Sequence, residues 1–140
     1  MTTLIFIGWA VVAFIGMELL SYVLHRWIFH GLLWKIHQTH NTHRAGVLEP
    51  NDVFAGFFTL IAIVLVAIGF FSNPLHSISF PVGLGMTIYG LLYFVVHDLV
   101  THKRFIPLST KIRWIDVVRR AHLKHHQDAS KDGQEPFGLF

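Results

Sequence analysis

An all-α fold, integral to a membrane and built on about three transmembrane spans, follows from three observations. The chain is 53% hydrophobic and only 14% charged, with a mean hydropathy of +0.52. That is too little charge to coat a water-soluble globule. Three stretches, 4–24, 53–71 and 78–96, run almost without charge. As helices, each can cross a hydrocarbon core of about 30 Å. Finally, all eleven Lys and Arg residues fall in two blocks, 26–44 and 103–131. With the N-terminus outside, three spans put both blocks on the cytoplasmic side, as the positive-inside rule requires. The 140 residues make a single membrane-embedded domain, 1–140.

The net charge of +3 does not call for a nucleic acid, because the basic residues border the apolar spans. The first span carries one charge, Glu18. A signal peptide is a poor fit there: no Lys or Arg precedes the apolar run, and no small-residue cleavage site follows it. Glu18 should face protein or water, either bonded to a neighbouring helix or serving near a metal or substrate. Asn51-Asp52 reads as an N-cap for the second span, and Ser72-Asn73-Pro74 ends that span. His76 belongs to the following turn. Glycines 83, 85 and 90 mark a packed face of the third span, or else make room for a bulky, flat substrate. Tyr89 and Tyr93 are expected to pack. Splitting 72–96 into two would give four spans and separate the histidines unless one segment re-entered the membrane.

After Pro107 and Ser109-Thr110, a helix is expected over 110 to about 127. Ile112, Ile115, Val118, His122 and His125 share one face; Arg113, Val117, Arg120 and Lys124 make another, mostly basic. The histidines therefore extend an apolar stripe.

Eleven histidines and no cysteine limit any metal to nitrogen and oxygen ligands, which suits iron, zinc, copper or nickel. The His-rich segments are 25–43 and 97–126, and their spacings recur. His25 and His30 are followed by His37 and His40; His97 and His102 are followed by His122, His125 and His126. Spacings of three and four direct imidazoles to one side of a helix. Spacings of five do not, so those pairs need a helix end, a π-bulge or two metals. So many ligands also exceed what one ion takes. Interfacial histidines bonding to headgroups are the bland alternative.

The stretches GMELLSYVLHRWIFHGLLWKIHQTH, EPND, YGLLYFVVHDLVTHKRF, RRAHLKHH and FGLF resemble the membrane di-iron hydroxylases and desaturases of the fatty acid hydroxylase superfamily. Within it they are most similar to the bacterial β-carotene hydroxylases. The resemblance covers most of the chain. It implies two iron ions on His25, His30, His37, His40, Asn41, His97, His102, His122, His125 and His126. Asn41 stands where the family usually has a third clustered histidine, so either Asn41, through its carbonyl oxygen or a water, or His43 completes the set. Asp98 is a candidate second-layer partner, and Asp116 more simply pairs with Arg119 or Arg120. The relatives continue briefly past the position of Phe140, so a shortened C-terminus is one expectation.

The implied reaction uses O2 and two electrons from a ferredoxin or similar reductase to hydroxylate C3 of the β-carotene ring, giving β-cryptoxanthin and then zeaxanthin. The chain would sit in membrane lipid, in a bacterial inner membrane, with its site on the cytoplasmic side. A fatty acid or sterol hydroxylase or desaturase would use the same site on another lipid. A non-catalytic metal-binding or transport protein is the remaining alternative. A zinc protease is disfavoured by the absence of H-E-x-x-H. A b-type haem protein would place its histidines within facing spans.

Overall fold

A computed structural model describes residues 1–41, 48–106, 108–128 and 130–140. Every regular element among them is helical: α1 (Thr3–Val23), α2 (Trp34–Asn41), α3 (Asp52–Ser72), α4 (Ser79–Tyr93) and α5 (Arg113–Gln127). Two π-helical segments prolong α1 and α4, at Leu24–Leu32 and Phe94–Thr101. Three helical runs are long and apolar enough to cross a membrane: Thr3–Leu32, Asp52–Ser72 and Ser79–Thr101. The three-span expectation holds, because 79–93 is one unbroken helix rather than two.

The chain divides into two compact units, residues 1–18 with 53–91 and residues 19–52 with 92–140. In the first unit, Leu4, Leu60 and Ile88 are exposed, as a lipid-facing surface allows. Close approach explains two of the three glycines in α4. A methyl on Gly83 would lie 2.8 Å from Val66, and one on Gly85 would strike the Ala10 carbonyl. Gly90 has open space beside it. The first unit also settles Glu18. Tyr89, itself buried, donates its hydroxyl to Glu18 Oε2 at 2.9 Å. The helix-to-helix bond is thus the reading realised.

The second unit is built on the irregular helices. In a π-helix the ladder bond runs five residues back instead of four. His102 N bonds His97 O at 2.9 Å and Leu33 N bonds Ile28 O at 2.8 Å, both at that spacing. A small apolar core of Val96, Val100, Ile115 and Leu139 joins the end of the second π-helix to α5 and the C-terminal segment.

One boundary differs from expectation. Helix α5 begins at Arg113, not residue 110, because Thr110 Oγ1 accepts the Ile112 amide at 3.0 Å and Ile112 remains extended. Pro107 lies outside the described residues. The Asn51 side-chain oxygen accepts from His37 Nδ1 at 2.8 Å.

Candidate metal centre

Nine histidines converge in the second unit, in two groups. His25, His30, His37 and His125 form one; His40, His97, His102 and His122 form the other. Within each group the available ligand atoms lie within 4.8 Å of one another. His126 belongs with the second, its Nε2 2.8 Å from His122 Nε2 and its ring 4.7 Å from those of His40 and His102. The two sequence segments do not form one group each. The first sends three histidines to one group and His40 to the other; the second sends His125 to the former and His97, His102, His122 and His126 to the latter.

Local structure explains the convergence. On a regular α-helix His25 and His30 would diverge, as would His97 and His102. The π-helices bring each pair onto one side, so both members serve the same group. Of the three ways to reconcile the five-residue spacing, the wide helix is the one adopted. Helix α2 places His37 and His40 three residues apart, aimed at different groups. On α5, His122 and His125 likewise divide between the two.

Hydrogen bonds orient the rings. In the first group every Nδ1 donates to an oxygen: His25 to Phe137 O at 2.7 Å, His30 to Lys131 O at 2.9 Å, His37 to Asn51 Oδ1 at 2.8 Å, and His125 to Gln134 O. In the second, His40 Nδ1 donates to Glu49 Oε2 at 2.8 Å and His97 Nδ1 to Asp98 Oδ1 at 3.1 Å. A carbonyl or carboxylate oxygen can only accept, so in the neutral rings Nε2 carries a bare lone pair. These lone pairs face each other: His25 and His37 Nε2 are 2.9 Å apart, and His40 and His97 Nε2 are 3.1 Å apart. Nε2 of His30 and of His125 are buried and have no partner among the described residues.

Buried lone pairs pointing at one another repel unless a cation lies between them. The donor set therefore fits metal ions bound through nitrogen, with the opposite ring nitrogen tied to oxygen as metal-binding histidines usually are. Burial above all holds His37 and His102 as neutral imidazoles, with pKa lowered to about 3 for each. It likewise lowers His122 and His126, where neighbouring histidines add to the effect. Neutral imidazole is the ligating form.

Asn41 is buried at the end of α2, and neither its amide nitrogen nor its oxygen has a partner among the described residues. His43, the alternative to it, lies outside the described residues. Asp98 does contact a histidine, while Asp116 pairs with Arg120 at 3.2 Å, the plainer of the two readings offered for it. His76 bonds Asn73 in its turn and is a member of neither group. Tyr93 stacks on His97, with ring centroids 4.4 Å apart.

Three contributors went unassigned in the sequence. Glu49 and Asn51 sit in the EPND stretch, where Asn51 reads as a helix cap and Glu49 carries no stated role. Arg104 bridges Asp98 at 2.9 Å and Asp52 at 2.6 Å. The carbonyls of Lys131, Gln134 and Phe137 are backbone groups, which carry no side-chain signature at all.

A chloroplast β-carotene 3-hydroxylase of an Oncidium hybrid cultivar is 40% identical over 94% of this chain and 43% of its own length. β-Carotene hydroxylases of Pseudescherichia vulneris and Pantoea ananas are 41% and 36% identical, over 92% and 91% of this chain and 72% of their own. The chain thus spans less than half of the plant relative and about three quarters of the bacterial ones. No solved structure matches it. The sequence profile of the fatty acid hydroxylase family matches residues 10–140. With its histidines gathered as described, the chain belongs to the fatty acid hydroxylase family.

Proposed function

We propose that this protein is a carotenoid ring hydroxylase with two iron ions in its paired histidine groups. The observation that carries the reading is the set of inward Nε2 lone pairs, those of His25, His30, His37, His40, His97 and His125 backed by an oxygen on the opposite nitrogen. His25, His30, His37 and His125 would hold one ion. His40, His97, His102, His122 and His126 would hold the other. Asn41, whose buried amide has no partner among the described residues, would complete the centre. Iron so held supplies the oxidising power to place one atom of O2 on an unactivated C–H bond, with two electrons from an external donor such as a ferredoxin.

The chain's own residues then have definite tasks. The oxygen partners fix the tautomer and orientation of six of the nine rings. Burial keeps the imidazoles neutral and ready to ligate. The apolar spans hold the protein where a carotenoid dissolves. The relatives named β-carotene hydroxylases support β-carotene as substrate, hydroxylated at C3 to β-cryptoxanthin and zeaxanthin. The flanking Lys and Arg blocks support a cytoplasmic-facing site in a bacterial inner membrane.

Expression in bacteria that accumulate β-carotene should yield zeaxanthin by pigment chromatography. Unchanged β-carotene beside folded, iron-loaded protein would sink the reading, and new hydroxylated fatty acids or sterols in those cells would redirect it. Asn41→Ala should lower iron content; unaltered iron would remove Asn41 from the centre.

A further inference from the structure

The two histidine groups are backed by unlike partners. Around the group of four, all oxygens are neutral: three backbone carbonyls, of Lys131, Gln134 and Phe137, and the amide of Asn51. Around the other group they are carboxylates, Glu49 on His40 and Asp98 on His97. These are joined in a charged bracket. Arg104 spans Asp98 and Asp52, and Asp52 Oδ2 accepts the Glu49 amide at 2.9 Å. Three carboxylates against one guanidinium leave net negative charge beside that group.

The neutral partners come mostly from one strap, residues 131–137. Glu135 ties it to Arg26 and to the Tyr22 hydroxyl, each at 2.9 Å. Phe137 is 2% exposed and packs its ring 5.1–5.4 Å from those of His25, His30 and His125. Gly133 has a φ of +61°, and a methyl there would lie 2.7 Å from His30 Cε1. The strap's described contacts with histidines all go to the group of four. The bracket's go to His40 and His97.

We propose that the two metal positions are independently governed: the strap 131–137 positions the group of four, and the Glu49–Asp52–Arg104–Asp98 bracket positions the other. The assignment rests on the two-metal reading above. A carboxylate draws its ring's proton more strongly than a carbonyl does, so the opposite nitrogen becomes a better donor. Its negative charge also offsets that of a dication in a poorly solvated interior. The bracketed position therefore binds metal more tightly, and the strapped position loses it first. Glu49, Asp98, Arg104, Gly133 and Phe137 are positioning residues, acting through the rings they hold.

The test uses the full chain in detergent, loaded with ferrous 57Fe, with iron content and Mössbauer spectra as readouts. Wild type should show two distinguishable sites of equal area. Dialysis against a graded chelator should remove one before the other. Gly133→Ala should lose the weaker site alone, with a fall in affinity of about 10–100-fold, the usual cost of disturbing outer partners. Glu49→Gln should shift or weaken only the stronger site, and Asp98→Asn should do the same. Asp98→Glu should restore part of the wild-type signature.

Circular dichroism identifies a variant that fails to fold; Phe137→Leu then replaces Gly133→Ala under the same expectation. Loss of both sites together in a folded variant of either kind overturns the proposal, as does loss of the same site in both kinds. A wild-type protein with a single type of iron site overturns it while leaving a metal centre intact. A wild-type protein that binds no iron removes the two-metal reading itself.

Discussion

His37 and His102 show what the interior demands of single residues. His37 is buried and His102 partly so, and burial holds each pKa at about 3, well below the ordinary histidine value of 6.5. Hydrogen bonding to Asn51 offsets part of this for His37 without reversing it. Unfolded, these side chains take up protons below about pH 6.5; folded and metal-free, they resist until near pH 3. The unfolded state therefore binds more protons throughout that window, and stability falls as the pH drops through it. The metal-free protein should melt at progressively lower temperature from pH 6.5 toward 4, measured by circular dichroism in detergent. A flat profile would mean these histidines are not buried as described. The ligand types were legible residue by residue, since histidines in such number without cysteine leave little other use. Which ring nitrogen faces inward was not, because that depends on oxygens up to 112 positions away in the chain.

At the scale of elements, two departures from the regular α-helix make the centre. The π-helices at Leu24–Leu32 and Phe94–Thr101 convert a five-residue spacing from divergent to convergent. The sequence pattern posed this as a choice among a helix end, a bulge and two metals, and it could not choose. Ladder spacing is set by what the helix packs against, and the histidine spacing is compatible with each. Helix α5 has a second demand on it, since His122 serves one group while His125 serves the other. Its register must satisfy both. One alanine inserted between Leu123 and Lys124 would turn His125 and His126 by about 100° relative to His122. Iron content should drop for both groups while helical content by circular dichroism stays near wild type. Retained iron at both would show that α5 does not ligate.

For the whole molecule, the decisive contacts are those that join distant stretches of chain. Arg104 links the first residue of α3 to the second π-helix through Asp52 and Asp98. Its side chain is 9% exposed. Arg104→Gln would strand two carboxylates, one of them well buried. Removing one partner of such a pair costs about 3 kcal/mol or more. Arg104→Lys should recover part of that, because it keeps the charge and loses the fork that reaches both acids. Denaturant midpoints of the metal-free protein would measure both. Equal stability of Arg104→Gln and wild type would mean the bracket contributes nothing to the fold.

Composition and periodicity alone determined the helical class, the three apolar runs and the histidines available as ligands, because these depend on local hydrophobicity and residue type. Even the two-group count was anticipated, from an excess of ligands over what one ion takes. The tertiary structure decided the partition: His37 with His125 but His40 with His97, neutral carbonyls behind one group and carboxylates behind the other. Those pairings rest on contacts between residues far apart in the chain and on backbone oxygens that every residue possesses. Nothing in a local pattern distinguishes one such oxygen from the next.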